Sequence, residues 1–352
     1  MRHAKGAHAM RLWLLLLGLV LFAFCGEVEG LESAASSEVA METASAPASV
    51  LESVLAGDGD NATGPALDNA TDNATGGASG PLPGARWIEP RTGMAFRWIP
   101  PGCFLMGSPK SEVGRNVDEG PQHEVCLPGF WLGETEVTQG QWVKLMGANP
   151  SLIKSGDDYP VDMVSWDMAQ KFVAAMNVLN AGTFRLPTEA EWEYACRAGT
   201  TSPYFFGQEI TRDQASFDKR FSLPAEPLMP KRKTKKKRSA VKRSKKIWPN
   251  MHTNVVASFP ANAFGLHDMH GNVWEWCQDV YKAEYYFRSP RETPRCDGEG
   301  TSRVLRGGSW VTKGDALRSA NRSRGWPSMR AAFYGLRVVR SAQASEAPQI
   351  SR

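Results

Sequence analysis

The sequence predicts a loop-rich α+β fold in a single domain, and three observations lead there. Glycine is frequent at 33 of 352 residues, and there are 12 tryptophans, which suits a core closed by turns better than a helical bundle. Strand-like runs are short and end at Gly or Pro. Three segments carry both helix-start signals and helical apolar spacing.

The first segment is an address. Arg2, His3, Lys5 and Arg11 precede an unbroken apolar run from Leu12 to Phe24. That run is shorter than the ~20 residues a spanning helix needs, so residues 1–25 read as a signal peptide cleaved near Cys25 and Gly26. The protein is expected to be exported (periplasmic, envelope-bound or secreted), with no transmembrane helix in the mature chain. Residues 26–85 are rich in Ala, Ser, Gly, Thr and acids, and this composition predicts a disordered tether. Asn61-Ala-Thr63, Asn69-Ala-Thr71 and Asn73-Ala-Thr75 are glycosylation acceptors in a eukaryote and a polar repeat in a bacterium.

The domain is expected over residues 86–340, followed by a disordered tail at 341–352. Met94–Ile99 alternates as a strand, Pro100-Pro101-Gly102 turns, and Cys103–Met106 returns. Phe130–Val137 reads as another strand. Thr138 then caps a helix carrying Trp142, Leu145 and Met146. A second helix starts at Ser165 with Ala169, Phe172, Val173 and Met176 on one face. Thr188 and Glu191 form the capping box of a third.

Lys231–Lys246 breaks the pattern with 11 basic residues and no acid. Removing those charges from the formal +4 leaves −7 for the rest, so the basicity is a local insert. It reads as a solvated loop, or as a contact for a polyanion such as anionic lipid, glycan or nucleic acid. No nucleic-acid-binding motif accompanies it.

Four blocks occur in order: Gly129-Phe-Trp-Leu-Gly-Glu-Thr-Glu-Val-Thr138, Arg185-Leu-Pro-Thr-Glu-Ala-Glu-Trp-Glu-Tyr-Ala195, Gly265-Leu-His-Asp-Met-His-Gly-Asn-Val-Trp-Glu-Trp276, and Arg303-Val-Leu-Arg-Gly-Gly-Ser-Trp310 with Gly335-Leu-Arg-Val338. Together they resemble the formylglycine-generating-enzyme, or sulfatase-modifying-factor, family. The resemblance implies a C-type-lectin-like domain and, in the active members, protein maturation by oxidation of a cysteine.

Asp268 and Glu275 are hard oxygen donors, and Gly271 lets the backbone turn its carbonyls inward, a set suited to Ca²⁺. The resemblance implies calcium held by the Asp268 and Glu275 side chains and the Gly271 and Val273 carbonyls. Its second calcium site falls beside the insert, where Ser216 and Phe217 stand, and is not expected. His267 and His270 read as structural or solvent-facing.

The family's oxidases place two copper-binding cysteines at the third and eighth positions beyond the serine of Gly-Gly-Ser. Here these are Thr312 and Leu317, so copper is not expected and no catalytic residue is assigned. The three-histidine iron branch fails as well, because no histidine lies between His8 and His123. A branch that oxidises peptide-derived chromophores without the cysteine pair stays open.

In an oxidising compartment Cys103 with Cys126 and Cys277 with Cys296 are the short-range disulfide candidates, leaving Cys196 free. Ser309, Trp310, Asn321, Arg322, Arg324 and Trp326 are expected either to line a recognition groove or to serve as core and ion-pair residues. The resulting expectation is a calcium-stabilised, non-catalytic recognition module for an exported protein, peptide or glycan. The alternative is an oxidase with a non-cysteine site.

Overall fold

The computed structural model describes residues 80–152, 154–218, 253–343 and 346. The expected signal peptide, most of the expected tether and the basic insert lie outside them. Among the described residues no helix is long and apolar enough to cross a membrane.

Eleven strands are described: β1 Arg86–Ile88, β2 Ala95–Ile99, β3 Gly102–Met106, β4 His123–Leu127, β5 Phe130–Gly133, β6 Phe184–Arg185, β7 Trp274–Val280, β8 Arg303–Arg306, β9 Ser323–Gly325, β10 Tyr334–Gly335 and β11 Val339–Ser341. The helices are α1 Gln139–Met146, α2 Trp166–Val178 and α3 Glu189–Arg197. β1-β2-β5-β11-β6 form one antiparallel sheet, and β10-β7-β8-β9 a second in which β10 runs parallel to β7. β3 and β4 pair alone.

The helices begin where their caps say. Thr138 and Thr188 form capping boxes with Gln141 and Glu191, and the Ser165 hydroxyl accepts from the Met168 N–H. α2 buries Ala169, Phe172, Val173 and Met176, the spacing read from sequence, against β6 and α1. α3 is buried along its whole length between β3, β7 and β8. A helix buried all round must pair its charges. Glu189 therefore meets Arg322, and Glu193 meets Arg197 and Arg306.

Two expectations differ from the structure. Phe130–Val137 is not one strand, because β5 stops at Gly133, where Arg337 Nη1 takes the Gly133 carbonyl at 2.9 Å and the chain turns inward. The cysteine pairing is half met. Cys103 and Cys126 are cross-strand partners joined by a disulfide, whereas Cys277 and Cys296 are free and buried. The Cys296 carbonyl accepts from the Val280 N–H. Val280 lies three residues along β7 from Cys277, about 10 Å at strand rise, too far for a disulfide.

Candidate functional site

The turn before β7 holds an unusual backbone. Asp268, Gly271 and Asn272 all have positive φ, at 59°, 95° and 60°. Such conformations persist where surrounding structure fixes them. Gly271 is required for space too, since a Cβ there would lie 2.1 Å from the Ser216 carbonyl oxygen. The Gly271 N–H donates to the Gly307 carbonyl, and the Asn272 side-chain oxygen accepts from the Asn254 N–H. Asp268 Oδ2 accepts from the Ala257 N–H at 2.7 Å.

This turn brings Asp268 towards Glu275 on β7 and Glu136 from the turn after β5, all nearly inaccessible. Arg337 faces them and binds Glu275 through Nε and Nη2, at 2.8 Å for the shortest contact. Trp192 Nε1 donates to Glu275 Oε2 at 2.7 Å. Both Glu275 oxygens are thus engaged, each by two donors. Asp268 Oδ1 and both Glu136 oxygens are buried without any hydrogen-bond partner.

Three carboxyl groups face one guanidinium, so full ionisation would leave two negative charges in excess. Burial, then repulsion by Asp268, pushes the Glu136 carboxyl well above its ordinary range, and burial lifts Asp268 to about 6. An all-oxygen set with two uncompensated charges is chemically suited to one hard divalent cation. No group of three His, Cys, Asp or Glu side chains is poised for a metal among the described residues, so backbone carbonyls would have to complete a donor set. The sequence reading missed Glu136. Its signal was a second acid, two residues after Glu134, just before Val137.

The Gly-Gly-Ser segment is built differently. The Thr312 hydroxyl accepts from the Ser309 N–H at 3.0 Å and lies 3.0 Å from the buried Ser309 hydroxyl. Leu317 is fully buried with Tyr204, Ala215 and Phe217. Its side chain closes on Gly308, where an added Cβ would meet it at 2.9 Å. The thiol of Cys196 is buried on α3, 3.8 Å from His270 Nε2, and burial pushes it up to about 12. His270 Nδ1 donates to the Leu317 carbonyl and Nε2 accepts from the Phe205 N–H, so its ring is a satisfied structural group.

The expected groove residues separate. Arg322 and Arg324 line one cavity, which Asn321 supports by accepting from the Asn116 side chain. Arg322 is itself an ion-pair residue on Glu189. Ser309 and Trp310 lie outside that lining; Trp310 Nε1 donates to the Ala332 carbonyl. Trp326 is exposed and also outside it.

Residues 88–342 match the family described as the sulfatase-modifying factor enzyme 1-like domain. The chain is 33% identical over 277 residues to the serine/threonine-protein kinase pkn1 of Chlamydia caviae, a match covering 71% of this chain and 38% of that protein. It spans little more than a third of the length of the first curated relatives it matches. It is 29% identical to the formylglycine-generating enzyme of Streptomyces coelicolor, over 74% of this chain and 93% of that one. The solved structure of PvdO from Pseudomonas aeruginosa superimposes with a TM-score of 0.62 at 27% identity, covering 74% of this chain and all of that chain.

Proposed function

The chain belongs to the sulfatase-modifying factor enzyme 1-like family, and from that premise we propose an exported, calcium-stabilised recognition module without the cysteine-dependent oxidase chemistry. The state of positions 312 and 317 carries this reading. A Cu(I) site needs soft donors already in place. Thr312 offers a hydroxyl tied to Ser309, and Leu317 fills the space with a packed aliphatic chain. Cys196 cannot substitute, because its thiol is buried and holds its proton tightly, which blunts reactivity.

The calcium half rests on the orphan oxygens. Asp268 and Glu275, with the carbonyls of Gly271 and Val273, would hold the ion, whose charge would favour ionisation of the buried Glu136 beside Asp268. Arg337 orients Glu275 and holds the Gly133 and His267 carbonyls, tying the turn after β5 to the turn before β7. Export rests on the basic and apolar start of the chain, and the partner class is an exported protein, peptide or glycan.

The competing reading, a protein-maturation oxidase with a non-cysteine site, draws on similarity to a formylglycine-generating enzyme along most of that enzyme's length. An anaerobic Cu(I) titration against a chromophoric chelator separates the two. The expected result is that the chelator keeps all the copper. One equivalent held by the protein, and still held after Cys196→Ser, would return the chain to copper chemistry.

A further inference from the structure

An open cavity of about 400 Å³ is lined by Asn116, Asp118, Tyr281, Arg322, Ser323 and Arg324. It lies apart from the buried carboxylates and from Ser309, Thr312 and Leu317, none of which lines it. Its volume falls within the roughly 300–1,000 Å³ typical of ligand sites, towards the small end.

We propose that this cavity binds a carboxylate of an acidic peptide segment, with Arg324 as the ion-pairing residue. The inference rests on the recognition reading above and names its ligand class. The buried arginines Arg306, Arg318, Arg322 and Arg337 each pair with a glutamate. Arg324 is exposed and has no carboxylate within ion-pair distance among the described residues. Its guanidinium is nevertheless positioned, 4.7 Å from the centroid of the Tyr281 ring. Tyr281 is fixed in turn by its hydroxyl, which donates to Asp118 Oδ2 at 2.7 Å.

Arg322 cannot compete for the ligand. Its Nε and Nη2 hold Glu189, and Nη1 donates to the Asp118 carbonyl. It forms a rigid wall, stacked 5.0 Å from the same Tyr281 ring. The ionisable donor left for a ligand is Arg324, beside the Ser323 hydroxyl.

Two features select the ligand. The Asp118 carboxylate stands in the wall, so a dianionic phosphate meets about twice the repulsion that a carboxylate does. Val113 and Val117 are 77% and 89% exposed on the loop that supplies Asn116 and Asp118. They offer apolar contact to residues flanking the acid, which a free inorganic anion would not use.

The test uses the mature protein in saturating calcium and three fluorescent hexapeptides. One is capped at both ends with a central Val-Glu, one has Gln in place of Glu, and one has a free C-terminus with no acidic side chain. An exposed ion pair is worth up to about 1 kcal/mol, so the Glu peptide should bind about five-fold tighter than the Gln peptide. Arg324→Ala, at an exposed position, should abolish that preference, and Asp118→Asn should increase it by removing the opposing charge. Arg324-dependent binding of the free C-terminus as well would extend the site to chain ends. Equal binding of Glu and Gln peptides, or a preference that survives Arg324→Ala, overturns the proposal. That failure with calcium stabilisation and copper rejection intact would remove this site alone and leave the recognition reading standing.

Discussion

Glu136 and Asp268 are where single residues matter most. Glu136 buries both carboxylate oxygens and Asp268 one with no donor to meet them, and Arg337, which faces both, is held by Glu275. A cation that binds only the folded state at 100 times its Kd adds about 2.7 kcal/mol. EDTA should therefore lower the melting temperature, and added calcium should restore it. Glu136→Gln with Asp268→Asn should remove the calcium response while melting no lower in EDTA than the parent protein, because the uncompensated charges are gone. A calcium response that persists in this double variant would place the ion elsewhere. The turn that carries Asp268, Gly271, Val273 and Glu275 was legible because one contiguous motif holds it. Glu136 was not, because its role depends on where the turn after β5 drops it, some 130 residues away in sequence.

At the scale of elements, α3 depends on a carboxylate outside itself. Asp279 on β7 accepts from the Glu189 and Cys296 N–H groups, and so ties the first turn of α3 to the second sheet. Burial, then repulsion by Glu189, lifts its carboxyl from 3.8 to about 7. The folded state thus binds this proton more tightly than the unfolded chain does. The associated stability is full below about pH 4 and is lost as pH rises through 7, by up to about 4 kcal/mol. In saturating calcium, stability should fall between about pH 4 and 7, and Asp279→Asn should flatten that slope; an unchanged slope would assign it to another group.

The β3–β4 pair makes a second element-scale prediction. Its disulfide links residues 23 apart in sequence, a loop for which cross-linking is worth about 3 kcal/mol. Non-reducing peptide mapping should find Cys103 joined to Cys126 and three thiols that label only after unfolding. A Cys277–Cys296 peptide would contradict the strand register. Helix starts were legible because caps are local signals that Thr138, Ser165 and Thr188 carry themselves. The length of β5 was not, because a distant arginine ends it.

Across the whole molecule, the order of the strands was illegible from patterning alone. β11, near the end of the described chain, sits between β5 and β6, and β10 runs parallel to β7. Those neighbours are set by packing around α3 and by buried Arg–Glu pairs between distant segments. The fold class was legible, through glycine and tryptophan usage and the four ordered blocks. The same scaffold can carry or lack oxidase chemistry, so the function follows from what fills positions 312 and 317. The most direct measurement is aerobic turnover of a sulfatase-type cysteine peptide by the purified protein with copper supplied, read by peptide mass. The account predicts an unchanged thiol peptide; conversion of the thiol to the aldehyde, surviving Cys196→Ser, would contradict it.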